Sequence, residues 1–220
     1  WADYQTAGKG CGTNAWESER GKNLTFSVLL HPTEISANCQ FRISEAVSVA
    51  LCETIERFGV PRTSIKWPND IYVGDRKICG ILIENQLQGM KLAYSVCGIG
   101  INVNQKRFLS DAPNPVSLIN ITGREHDLMT LLKRVCSRIG ELVDSLGNDH
   151  ARNQLHQQYM AALYRNDGEM HPFEDTDGKR IMASIDGIAP DGTLTLLHSD
   201  GTVHDYLFKE VRHIVNNTVL

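Results

Sequence analysis

No stretch of this chain stays apolar over the roughly twenty residues that a membrane-spanning helix needs. Its first residues do not read as a secretory leader. There is no basic excess: 22 Lys and Arg stand against 26 Asp and Glu, a formal net charge of −4. That leaves no basic footprint for general nucleic-acid binding, although a local pocket of lysines such as Lys9, Lys66 and Lys77 remains open. The eight histidines show no H-E-x-x-H or similar spacing, so no structural metal is expected. The six cysteines form no C-x-x-C pair and mostly sit inside apolar runs. They read as buried, reduced thiols of a cytoplasmic protein, not as a disulfide framework. No internal repeat or low-complexity tract is present.

What is there is an ordinary globular composition, 41% apolar and 22% charged. A length of 220 residues suits a main domain with a small appendage, burying roughly 70% of the unfolded surface. Residues 1–6 read as a short strand that begins mid-fold, as though an upstream piece were missing. Asn23 to Leu30 alternates as a strand. A helix is expected from about Glu34 to Phe58, stopped by Gly59 and Pro61. Strand-like pieces follow at Ile65–Trp67, Ile71–Val73, Lys77–Glu84 and Leu92–Val103, and a loop with Pro113 and Pro115 comes next. The apolar character of the last two strands predicts central strands covered by helices. Two more helices are expected, from about Asp127 to Leu146 and from His150 to Leu163. Residues 179–215 alternate in short pieces separated by Pro190-Asp191-Gly192 and Ser199-Asp200-Gly201. That spacing predicts a small β-barrel and a boundary near residue 170.

Four stretches carry chemistry. Gly8-Lys9-Gly10-Cys11-Gly12 can turn sharply and offer free N–H groups to an anion, with Lys9 adding charge and Trp16 an apolar surface. A surface loop is the plain alternative. In Lys66-Trp67-Pro68-Asn69-Asp70, Asp70 can help hold Mg²⁺ and Asn69 can meet phosphate oxygens, or both can cap an Asx turn. Lys77 opens a buried strand, where it either projects its ammonium into a cavity or guards the strand at the surface. Gly80, Gly98 and Gly100 mark close approach to a strand, or a bulge.

Taken together, these stretches resemble biotin–protein ligase. The resemblance rests on Ala2-Asp3-Tyr4-Gln5-x-Ala7-Gly8-Lys9-Gly10, Trp16, Lys66-Trp67-Pro68-Asn69-Asp70, Lys77-Ile78-x-Gly80-Ile81-Leu82-x-Glu84 and Gly98-x-Gly100-Ile101-Asn102. It implies an α+β fold of the class II synthetase-like, biotin/lipoate ligase type. A mixed β-sheet flanked by helices would form residues 1–170 and an SH3-like β-barrel residues 171–220. It implies formation of biotinyl-5′-AMP from biotin and Mg·ATP, then transfer to a lysine of a biotin carboxyl carrier protein. Lys77 and Lys9 would be catalytic. Gln5, Gly8, Lys9, Gly10, Cys11, Trp16, Lys77, Gly80, Gly98 and Gly100 would line the biotin and acyl-adenylate site. Asn69, Asp70 and Asn102 would serve ATP, and Asp70 its Mg²⁺.

The chain departs from the pattern in its loop, where Lys9 and Cys11 stand at positions usually filled by arginine or another basic or polar residue. Lysine offers a point charge without a bidentate fork, so weaker retention of the adenylate is expected, with Cys11 shielded from alkylation by biotin plus ATP. No N-terminal helix-turn-helix precedes the motifs, so no DNA binding is expected. An exposed sheet edge would serve a homodimer or the carrier. The alternatives are a lipoate or octanoyl ligase or transferase of the same fold, which lacks Trp-Pro-Asn-Asp, and a non-catalytic nucleotide- or carrier-binding relative.

Overall fold

The computed structural model describes residues 1–10, 15–110, 112 and 114–215. Its first paired segment is a small ribbon, β1 (Gly8–Lys9) against β2 (Ala15–Trp16). Residues 1–6, expected as a strand, make a single bridge in which Ala2 N donates to Thr25 O at 2.9 Å. Trp1 and Tyr4 are exposed, so the side chains that suggested a strand have no sheet face to cover.

The alternating run forms β3 (Leu24–Leu30). The helix after it, α1 (Phe41–Arg57), starts seven residues later than its periodicity suggests. The preceding backbone is committed elsewhere: Ala37 N donates to Met90 O at 2.8 Å, and Ile35 O accepts from Leu92 N at 3.0 Å. Gly59, at φ +102°, ends the helix in a conformation that favours glycine.

β4 (Ser64–Lys66), β5 (Asp70–Val73), β6 (Arg76–Gln88) and β7 (Lys91–Ile101) complete a five-stranded sheet in the order β3-β7-β6-β5-β4. Its ladders are antiparallel, and parallel pairing is confined to isolated bridges such as Ile65 with Leu163. A short helix, α2 (Leu118–Thr122), lies beyond the proline-bearing loop and begins with a capping box between Ser117 and Asn120. α3 (Leu128–Asp144) and α4 (Asp149–Ala162) are capped by Asp127 and Asn148. α1 packs on α3 and α4 and reaches β4 and β5, while α3 reaches β3. Leu131, Val135 and Ile139 of α3 are fully buried there. The fold is α+β.

A second antiparallel sheet follows: β8 (His171–Asp175), β9 (Arg180–Ile188), β10 (Leu194–His198), β11 (Val203–Tyr206) and β12 (Val211–His213), in the order β11-β10-β9-β8-β12. β8 carries no alternating strand signal in the sequence, because Pro172 interrupts its pattern. Phe173 nevertheless gives it a buried anchor. Of the described cysteines, Cys52, Cys79 and Cys97 are buried, and burial pushes the Cys52 and Cys97 thiols up to about 12. Cys136 is exposed on α3. Among the described residues no helix is long and apolar enough to cross a membrane.

One buried group gives this fold a pH dependence. His213 lies against Phe173 and Tyr164, with ring centroids 4.5 and 5.4 Å away, and neither ring nitrogen has a partner among the described residues. Burial first, then the cations Lys66 and Arg165, push its pKa from 6.5 down to about 3. Between those values the unfolded chain binds a proton that the folded chain refuses. Stability is therefore whole above pH 6.5 and falls as the pH drops toward 3, by about 3–5 kcal/mol in full. His213→Phe is expected to flatten the fall in melting temperature between pH 6.5 and 4. An unchanged slope in the variant contradicts this.

Candidate active site

Cross-strand partners in a sheet share a face. The register of the first sheet therefore places Lys66, Asp70, Gly80, Gly100 and Thr25 in one row. The neighbouring row, Ile65, Ile71, Cys79, Ile101 and Leu24, points the other way and is fully buried beneath the helices. The first row has no side chains at its centre. It floors a cavity of about 600 Å³ that Gln5, Lys9, Gly10 and Trp16 line from the loop side.

Lys77 reaches this face through a defect in the ladder. Gly80 already faces the cavity, so strict alternation would turn Lys77, three residues earlier, into the core. The register shifts between β5 and β6: Ile71 faces Cys79 but Tyr72 faces Lys77, leaving Ile78 as an extra residue. Ile78 and Cys79 are both fully buried, and Lys77 swings to the cavity side. Its Nζ lies 2.7 Å from Asp70 Oδ2 and 5.9 Å from the Trp16 ring centroid. Its backbone is held on the other edge, where Lys77 N donates to Asn114 O and Val116 N donates to Lys77 O.

Trp16 explains two of the glycines. A Cβ on Gly100 would stand 2.5 Å from Trp16 Cε2, and one on Gly80 would stand 3.0 Å from Trp16 Cζ3. The close approach read at these positions is filled by the indole. Gly98 differs, since its Cβ would meet only Leu82, at 3.6 Å or more. Gly8 is needed for the ribbon itself, its Cβ falling 2.5 Å from the Trp16 carbonyl oxygen. The Trp16 Nε1 is buried and has no partner among the described residues.

The Lys66–Asp70 turn is held at nearly every residue. Trp67 Nε1 donates to Gly192 O at 3.0 Å, Tyr159 OH to Pro68 O at 2.9 Å, and Asn69 Nδ2 to Ile81 O at 2.9 Å. Lys66 has its ammonium 5.4 Å from the Tyr72 ring centroid. Burial lowers its pKa, Asp70 opposes that, and Lys77, Arg212 and Arg165 add to it. Lys9, Lys66, Lys77, Lys209 and Arg212 line the cavity against the acids Asp70 and Glu84, a balance that favours an anionic ligand. Arg212 is itself paired with Glu174.

Gln5, Lys9, Gly10, Trp16, Asn69, Asp70, Lys77, Gly80, Gly98 and Gly100 are thus brought around one cavity. Asn102, expected at the nucleotide, is not. It lies past the end of β7, is buried, and donates from Nδ2 to Val116 O at 3.1 Å. Cys11 lies outside the described residues. The contribution of β12 and its approach, Phe208, Lys209, Arg212 and His213, had no local signal because only the docking of the second sheet creates it. Among the described residues there is no cluster of three or more metal-ligating side chains.

Residues 1–102 match the model of the biotin/lipoate A/B protein ligase family. The bifunctional ligase/repressor BirA of Bacillus subtilis is 34% identical over 146 residues, 66% of this chain and 40% of its own length. Biotin--protein ligase 2 of Arabidopsis thaliana is 27% identical over 227 residues, 96% of this chain and 68% of its own. The chain spans 32–40% of the length of the bacterial relatives it first matches. Among solved structures, the biotin protein ligase from Aquifex aeolicus in complex with biotin and ATP superposes with a TM-score of 0.79 at 26% identity, covering 97% of this chain and 88% of that one. The sheet-floored, cation-lined cavity of this chain lies largely within residues 1–102, the segment that matches the biotin/lipoate A/B protein ligase family.

Proposed function

We propose that the chain is an ATP-dependent biotin–protein ligase. The observation that carries this reading is the bulge at Ile78, which sets Lys77 beside Asp70 and Trp16 on the glycine-floored face. In the first step a carboxylate oxygen of biotin attacks the α-phosphorus of ATP. A new O–P bond forms, the bond to the β-phosphate oxygen breaks, and pyrophosphate leaves with its electron pair. Two anions must meet, so fixed cations in a partly dry cavity are the main requirement. Lys77 is assigned to the carboxylate and acyl-phosphate oxygens, with Lys9 beside it. Asn69 and Asp70 are assigned to the nucleotide side. In the second step a carrier lysine amine attacks the acyl carbon, an amide forms, AMP leaves, and the amine proton passes to solvent.

Mg²⁺ bound with ATP would offset phosphate charge. It takes one or two carboxylates together with phosphate oxygens and waters, which suits the single Asp70 carboxylate in this row. The same reading covers residues 1–170 as the catalytic unit and residues 171–220 as an SH3-like unit. It also covers a cytoplasmic setting, a carboxyl carrier protein as partner and a homodimer through the sheet edge. Cys11 in place of a basic residue would loosen the hold on the adenylate.

Incubation of the purified chain with biotin, Mg·ATP and a carrier domain is expected to add one biotinyl group to one carrier lysine, seen by mass spectrometry. Modification by lipoate or octanoate in its place would move the assignment to the other acid. No modification by any of the three would leave a non-catalytic binding protein.

A further inference from the structure

We infer that the Asp191–Gly192 turn of the second sheet is a positioning element for the Trp67–Asp70 turn, setting how the cavity holds ATP. The inference rests on the nucleotide assignment above. Gly192 does not line the large cavity, but its carbonyl accepts the only hydrogen bond found for the Trp67 indole N–H among the described residues, at 3.0 Å. The turn is itself stiff. Gly192 N donates to Ala189 O at 2.9 Å, Ala189 N to Thr193 O at 2.9 Å, and Thr193 N to Asp191 Oδ1 at 3.0 Å.

Gly192 sits at φ +98°, and a Cβ there would stand 2.6 Å from Phe41 Cδ2. The Phe41 ring packs edge-on against Tyr159 at 5.6 Å, and Tyr159 OH donates to Pro68 O at 2.9 Å. Gly192 therefore reaches the turn by two routes, directly to Trp67 and through Phe41 and Tyr159 to Pro68. Phe208 also packs edge-on against Trp67, with ring centroids 6.2 Å apart. The next residues after this clamped pair are Asn69 and Asp70, which line the cavity. A side chain at position 192 must push the turn away from Phe41, and the carbonyl leaves Trp67 with it. A second cavity of about 430 Å³ opens between Phe41, Trp67 and this turn, but Phe41 itself is buried in the core, so its ring can give way little.

The test compares the full chain with Gly192→Ala, Trp67→Phe and the double variant. ATP affinity is read by calorimetry with and without biotin, and KM and kcat by pyrophosphate release. Gly192→Ala is expected to weaken ATP about tenfold, the scale of one lost hydrogen bond and a sub-ångström shift, while biotin affinity stays within about twofold. The double variant is expected to lose less than the sum of the two single losses, because both changes remove the Trp67 contact and only the route through Phe41 remains separate. Equal loss of ATP and biotin affinity with a lowered melting temperature, unchanged ATP affinity, or additive losses would each overturn the inference. A wild-type chain that binds ATP but releases no pyrophosphate with biotin would refute the proposed function. In that case the ATP affinities of the four proteins still decide the role of Gly192.

Discussion

Lys77→Ala is expected to lower kcat/KM for biotin-dependent pyrophosphate release by about 10²–10³-fold, the loss of about 3–4 kcal/mol of transition-state stabilisation that follows removal of one such donor. Negative charge gathers where carboxylate and α-phosphate meet, and Lys77 is the cation that the bulge turns onto the glycine-floored face. Truncation also strips Asp70 of the ammonium 2.7 Å away, leaving an extra negative charge beside the phosphates. Lys77→Arg keeps the charge but brings a planar fork in place of a compact ammonium, so it should recover only part of the rate. Folding should survive in both, because the stem of Lys77 lies along the cavity and the strand is held through its backbone to Asn114 and Val116. The measurement is steady-state pyrophosphate release with biotin at saturation. A rate within threefold of the parent for Lys77→Ala contradicts the assignment.

Gly100→Val is expected to cost about 10–100-fold in the same assay while leaving the fold intact. The new Cβ lands 2.5 Å from Trp16 Cε2 and 2.7 Å from Cζ2 and Nε1, and neither the strand nor the rigid indole can yield by that much. Trp16 must leave the sheet, and the β1–β2 ribbon, in which Trp16 pairs with Gly8, must move with it. Lys9 and Gly10 then lose their place at the cavity. Indole fluorescence should report the displacement independently of turnover. Gly98→Ala is the control, because its Cβ meets nothing closer than 3.6 Å. It should stay within about threefold of the parent. Equal damage from the two substitutions would mean that the glycines serve a ligand directly and that the Trp16 contact is incidental.

The sequence carried the contents of the site better than its construction. Lys66-Trp67-Pro68-Asn69-Asp70 and Lys77 announced themselves because proline, asparagine and a lysine at a buried strand leave local marks. Strand parity alone would have buried Lys77, since nothing in Lys77-Ile78-Cys79-Gly80 shows which apolar residue is the extra one. Asn102 is a different case, expected at the nucleotide but buried against Val116. Its nucleotide role came from the resemblance alone, and nothing local shows that β7 ends at Ile101 and that the backbone there turns to meet residues 116–118. The glycines at 80 and 100 were legible as points of close approach, but what approaches them comes from a ribbon distant in sequence. Residues 34–40 looked helical because their pairing with residues 90–92 is a tertiary fact. The share of the second sheet in the cavity was likewise invisible, as Lys209 and Arg212 read as ordinary surface cations until β12 is docked.

The most direct test of the whole account is pyrophosphate release from ATP by the wild-type chain, measured with biotin, with lipoate and with no acid added. Release that depends on biotin, with lipoate no better than the blank, is the result this account predicts. Release that is equal with and without biotin, or that follows lipoate, would contradict it.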